Sequence, residues 1–336
     1  MNRRDALAAL VALGASTGPC LGLSQTSSKL PTLGFLTGGY TLSLEQWNKL
    51  RFAVKLKELG WVEGRNLLIE RAYGDGLTDR LPALAAELVR KRVDVIYAVG
   101  PEAAVDAARA TNTIPIVFWG LSFPVEQGLI DSYAHPRRNV TGVAWNTGVQ
   151  IFAKLLEIAR QVSPGLVRVA YFTFPTAVRT VGGGEFSGID REMSAAAKSL
   201  GIELRTYPVS KREDFDGAFK AILAFRAQAL ITMTTWLSFL ERQPILDFVS
   251  RNRLVGLYDT KQFVEAGGLV SYGPDNHYLN ERGAIYVDRI LRGARPADVP
   301  VEQPTRFELN VNAKTAKALG LAIPQGVLIR ADRVIE

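Results

Sequence analysis

Apolar positions along the chain follow two periods in turn. Leu33–Leu36, Leu67–Tyr73, Val93–Val99 and Ile114–Trp119 read as strands. Between them, Leu44–Leu59, Leu81–Val89 and Glu102–Ala110 carry apolar residues three and four apart, which predicts helices. Val93–Val99 is almost continuously apolar, as expected of a strand covered on both faces. Strands separated by helices of this length predict βαβ units and a parallel sheet.

The same order restarts after residue 150. Ile151–Val162 predicts a helix, Val167–Phe172 a strand, Ile189–Leu200 a helix and Leu204–Val209 a strand. Phe215–Phe225 predicts a helix, Ala229–Met233 a strand, Ile245–Val249 part of a helix and Leu254–Tyr258 a strand. Leu-Gly-Trp at 59–61 and Leu-Gly-Ile at 200–202 open similar strand–helix–strand runs, so the halves look like a structural duplication. Thr141–Gln150 (T-G-V-A-W-N-T-G-V-Q) lies between them and reads as the crossing, with Trp145 near whatever the halves close on. The tail breaks the alternation. It holds a strand at Leu269–Tyr272, an amphipathic helix at Leu279–Leu291, an extended crossing at Arg295–Pro304, a strand at Phe307–Val311 and a short helix at Thr315–Leu319.

The start of the chain is different in kind. Arg3-Arg4 followed by the apolar run Ala6–Ala15 and small residues reads as an export signal over 1–25. The run is shorter than the roughly 20 residues a membrane span needs. The expected organisation is therefore an export signal at 1–25, an N-terminal α/β lobe at 30–145 and a second lobe at 146–258. Residues 259–336 would supply hinge crossings and segments returning to the lobes.

Composition narrows the function. The chain has 336 residues, 22% of them charged, with a net charge of +7 spread among acidic residues, which gives no nucleic-acid face. The one cysteine, Cys20, falls in the signal, and two histidines, His135 and His277, do not make a transition-metal site. Val181-Gly182-Gly183-Gly184 lacks the Lys-Ser or Lys-Thr of a phosphate loop, and no serine sits in a G-x-S-x-G turn. No catalytic residue and no cofactor is expected.

Ligands of open parallel sheets bind beyond the carboxyl ends of the strands. Those positions here are Thr37-Gly38-Gly39-Tyr40, Gly100-Pro101-Glu102, Trp119 to Phe123, Phe174-Pro175-Thr176, Thr234-Thr235-Trp236, Asp259-Thr260 and Tyr272-Gly273. Trp119, Phe123, Trp145, Phe174, Trp236 and Tyr272 are candidate walls for an apolar or planar ligand. Glu102 and Asp259 could hold an ammonium group, while Thr37, Ser122, Thr176, Thr234 and Thr235 with nearby helix N-termini could receive a carboxylate.

The order of motifs resembles the substrate-binding components of ABC transporters, in the group related to tryptophan- and other amino-acid-binding proteins. The resemblance is carried by Gly34-Phe35-Leu36, Gly60-Trp61-Val62-Glu63-Gly64-Arg65-Asn66 and Asp79-Arg80-Leu81-Pro82-Ala83-Leu84-Ala85. It continues through Ile114–Phe118, Asn139–Val143, Glu265–Leu269, Ser271–Gly273, Gln303–Leu309 and Lys314–Leu321. It implies a type I periplasmic-binding-protein fold: two Rossmann-like α/β lobes with parallel sheets, joined by a multi-strand hinge. It also implies capture of a small organic solute, delivery to an ABC permease, a periplasmic location and a monomer. Departures fall at the ligand-facing loops. Gly100-Pro101 stands where the family often has Gly-Thr, Phe123-Pro124-Val125 where Asp-Pro-Val is common, and Phe174-Pro175 where Asn-Pro is common. An aromatic or apolar solute follows from these changes. A ligand-sensing module and a Rossmann-type enzyme are the alternatives for the same cleft.

Overall fold

Five strands form the first sheet of the computed structural model: β1 (Thr32–Thr37), β2 (Leu68–Tyr73), β3 (Val95–Val99), β4 (Ile116–Leu121) and β5 (Val140–Ala144). All are parallel, in the order β2-β1-β3-β4-β5. The structure describes residues 29–136, 138–145, 150–185 and 188–336. The export signal with Cys20, and residues 146–149 of the crossing stretch, lie outside the described residues. Everything below belongs to the unit Pro31–Glu336.

The second sheet holds β6 (Arg168–Thr173), β7 (Glu203–Pro208), β8 (Ala229–Thr232), β9 (Val255–Tyr258), β10 (Val270–Pro274), β11 (Phe307–Asn312) and β12 (Arg333–Ile335). Its order is β7-β6-β8-β9-β10-β11-β12, and β10 and β11 run antiparallel. The first five of these repeat the order of the first sheet. Central strands such as β3 and β8 are buried along their whole length, which is why β3 is continuously apolar and β8 is apolar up to its last residue, Thr232. At the free edge, β7 has only exposed and half-buried positions.

The helix expected over Leu44–Leu59 is two helices, Leu44–Lys49 and Arg51–Glu58, separated by an extended Leu50 (φ −63°, ψ 132°). The break turns both rings inward. Trp47 meets Phe35 edge-on at 4.9 Å, and Phe52 stacks on Tyr97 at 4.0 Å. Ser43 and Gln46 cap the first helix reciprocally.

The tail joins the lobes. Beyond β10, the helix Asn276–Leu291 packs on Arg51–Glu58 and against β3, β4 and β5 of the first lobe. Residues 299–302 then run beside β5. Ala144 N–H donates to the Glu302 carbonyl at 2.8 Å, and Glu302 N–H donates to the Gly142 carbonyl at 3.0 Å. The Glu302 carboxylate is held by Arg282 at 2.6 Å and the Tyr278 hydroxyl at 3.0 Å. The chain returns as β11, so β10, β11 and β12 all extend the second sheet. Among the described residues no helix is long and apolar enough to cross a membrane.

Candidate ligand site between the lobes

The carboxyl ends of β3, β4 and β5 face those of β6, β8 and β9 across a cavity. It encloses about 590 Å³ of empty space, open solvent at its mouth included. Phe123, Trp145, Tyr171, Phe174, Val178 and Met233 make its apolar walls, and Ser122, Gln127, Thr234, Thr235 and Asp259 its polar ones.

Asp259 is the centre of the polar side. It ends β9 and is 1% exposed. Its Oδ1 accepts the Thr234 N–H at 2.9 Å and the Thr234 hydroxyl at 2.5 Å. Its Oδ2 accepts the Trp145 indole N–H, from the other lobe, at 3.0 Å. Burial pushes the carboxyl up to about 6, against the bonds from Thr234 and Trp145 that favour the charged form. Gly273 makes the position possible, because a Cβ there would lie 1.7 Å from the Asp259 carbonyl oxygen.

Two seams hold the lobes closed. Along the first, residues 174–181 lie on the helix Pro101–Ala110. Arg179 pairs with buried Asp106 at 2.9 Å, and the Thr176 hydroxyl donates to Glu102 at 3.3 Å. Gln127 Nε2 donates to the Ala177 and Arg179 carbonyls at 3.2 and 2.8 Å, and Arg109 donates to the Thr180 carbonyl at 2.6 Å. Burial raises the carboxyls of Glu102 and Asp106, opposed by the Arg179 guanidinium.

The second seam is Trp236. Its indole N–H donates to the Val99 carbonyl at 3.0 Å. Its ring lies on bare backbone. Cβ atoms built at Gly38, Gly39 and Gly100 would approach it to 3.1, 2.9 and 2.7 Å. Gly100 also has φ +96°, so a side chain is excluded there on both counts. Thr235 and Ser238 cap the short helix that Trp236 begins, which fixes the ring's direction.

Of the sequence-predicted positions, Phe123, Trp145, Phe174, Thr235 and Asp259, with Pro101, Gly120 and the hydroxyl residues Ser122 and Thr234, line the cavity. The others stand elsewhere. Thr37 accepts the Gly39 N–H at 3.1 Å, turning the chain beyond β1. Tyr40 is 54% exposed, because that turn carries it past the cleft. Gly38, Gly100 and Trp236 form one seam, Glu102 and Thr176 the other. Trp119 packs behind the wall, edge-on to Trp145 at 5.5 Å, with its N–H buried and unpartnered. Tyr272 stacks on Phe307 at 5.9 Å, because the antiparallel β11 runs beside β10. Sequence reasoning missed Gln127, Tyr171, Val178, Ile189 and Met233 as wall residues. Met233 and Tyr171 lie in or beside strands whose carboxyl ends were already suspected, whereas Gln127 and Ile189 carry no signal of their position.

The geometry agrees with three comparisons. A tyrosine-binding protein of Clostridioides difficile (strain R20291) is 23% identical over 274 residues, 81% of this chain and 76% of that protein. The crystal structure of an ABC domain in complex with L-Trp from Streptococcus pneumonia has a TM-score of 0.81 at 21% identity, covering 91% of this chain and 100% of that one. A conserved domain protein from Vibrio cholerae gives a TM-score of 0.81 at 22% identity, again over 91% and 100%. The architecture is that of a type I periplasmic binding protein. Residues 52–335 match the family described as ABC transporter substrate binding protein, and the chain belongs to that family.

Proposed function

We propose that this chain is the exported, monomeric binding component of an ABC transporter, acting outside the cytoplasm. It captures a small aromatic or apolar organic solute between its lobes and presents the closed form to a membrane permease. The observation that carries this reading is the cavity itself. It is walled by Phe123, Trp145 and Phe174, has one buried carboxylate, and draws on both lobes, so binding and closure are one event. Similar proteins include one named a tyrosine-binding protein and an ABC domain whose crystal structure is in complex with L-Trp, which is consistent with an aromatic guest.

The role is binding rather than catalysis. Solute contacts made only in the closed form shift the population toward it, and apparent affinity is the intrinsic affinity multiplied by the fraction of protein already closed. Native mass spectrometry of freshly purified protein tests the reading, with expected masses corresponding to protein plus one small molecule. Protein that carries nothing, and whose Tm no member of an aromatic and apolar solute panel raises, would overturn it.

A further inference from the structure

A carboxylate is held in a protein by a cation or by several hydrogen-bond donors. Parallel α/β sheets ordinarily supply donors as backbone N–H groups at the helix starts beyond the strands. Here, among the described residues, several of those groups are missing or occupied. The helical turns after β3 and β6 begin with Pro101 and Pro175, which have no N–H. Beyond β8, the Thr234 N–H goes to Asp259 at 2.9 Å and the Thr235 N–H goes to Ser238 Oγ at 2.8 Å. Both N–H bonds of the Gln127 amide go to carbonyls of the opposite lobe.

Charge points the same way. Among the described residues, no Arg, Lys or His lines the cavity. The helix Gly188–Ser199 brings Ile189 to the wall, but its first turn carries Asp190, a partly buried carboxylate that bears electrostatically on Tyr171. A carboxylate in that first turn already sits at the helix's positive end and disfavours a second anion there. Among the described residues the donors to Asp259 are neutral, and Trp145 donates to its Oδ2. Since a carboxylate oxygen accepts two donors, Oδ2 has room for another.

We infer that the solute is a cationic aromatic or apolar amine without a carboxylate, its ammonium seated on Asp259 Oδ2 and its ring among Phe123, Trp145 and Phe174. This rests on the solute-binding role proposed above. It separates the chain from relatives named for amino acids, whose ligands carry both charges.

The test is a matched titration series on the purified protein, freed of retained solute: tyramine, L-tyrosine and p-cresol, then tryptamine, L-tryptophan and 3-methylindole. Each series keeps one ring and varies the charged head. At least one amine should bind about tenfold or more tighter than its amino acid and its neutral analogue, the range of a charge-assisted hydrogen bond. Asp259→Asn should abolish that preference while Tm confirms that the variant folds. An amino acid or neutral analogue that binds as tightly as the amine overturns the inference and leaves the solute-binding role intact. If all six fail and native mass spectrometry shows a retained carboxylate-bearing or uncharged molecule, the inference alone falls. If all six fail and no molecule is retained, both fall.

Discussion

Trp236 allows the strength of lobe closure to be worked out. It belongs to the second lobe, yet its ring rests on Gly38, Gly39 and Gly100 of the first, and its N–H bonds Val99 at 3.0 Å. Separating the lobes breaks these contacts, so they stabilise the closed form against the open one. An aromatic side chain buries about 150–250 Å², and with roughly 100 Å² of it facing the first lobe, about 2.5 kcal/mol is at stake. The hydrogen bond adds about 1 kcal/mol. Trp236→Ala should therefore lower solute affinity by up to roughly 2.5 orders of magnitude, less whatever excess stability the closed form has without solute. Titration calorimetry measures the affinity, and small-angle X-ray scattering of the unliganded variant measures the opening. Because Trp236 lies outside the cavity wall, every solute should lose by the same factor. An affinity within about threefold of the parent, or a loss that varies about tenfold among solutes, would refute the latch.

Gly100→Ala should weaken binding as Trp236→Ala does, since the added methyl occupies the ring's place at 2.7 Å. The two changes should be non-additive in a double-mutant cycle read by affinity. Arg179→Ala leaves the Asp106 carboxylate buried without its 2.9 Å partner, and affinity should drop about tenfold or more with a more open scattering profile. Affinity for a cationic solute should be full above about pH 6 and decline as pH falls through that value, because the Asp259 carboxyl pushed up to about 6 must be ionised to bind. In solute-free protein the sign reverses. The folded state holds the Asp259 proton more tightly than the unfolded chain, so this group adds stability as pH falls from about 7 toward 4. Asp259→Asn should flatten that dependence of Tm.

Most of the scaffold was legible because both lobes obey simple periodicities. Continuous apolar runs marked buried parallel strands such as β3, and the spacing of Leu81, Ala85 and Leu88 marked one helix face. The strand-end rule likewise placed Phe123, Trp145, Phe174, Thr235 and Asp259 at the cavity. What it could not distinguish was a ring facing the cavity from a ring facing the seam. Trp236 and Phe174 look alike in sequence, but the capped turn at Thr235 aims the first across the lobe boundary. Tyr272 escaped for a topological reason: antiparallel pairing of β10 with β11 supplies it with Phe307. Helical periodicity also ran across Leu50, because both flanking helices bury apolar faces and only the Phe35 and Tyr97 rings demand the break.

The return of the tail decides where the molecule can bend. Pro274 is still paired in the second sheet with Phe307, while Asp275 already caps the helix packed on the first lobe. That passage has no slack. The neighbouring passage is fastened to β5 as far as Glu302 and rejoins the second sheet at Phe307, leaving residues 303–306 between. An axis through the Pro274–Asp275 peptide would therefore act as a pivot, with 303–306 as the compliant strap beside it. Like a door, the molecule would travel least at this jamb and progressively more toward β1, beyond which Trp236 covers Gly38 and Gly39. Lengthening the strap by a residue would change the swing, whereas lengthening the chain at the pivot would throw the two edges out of alignment.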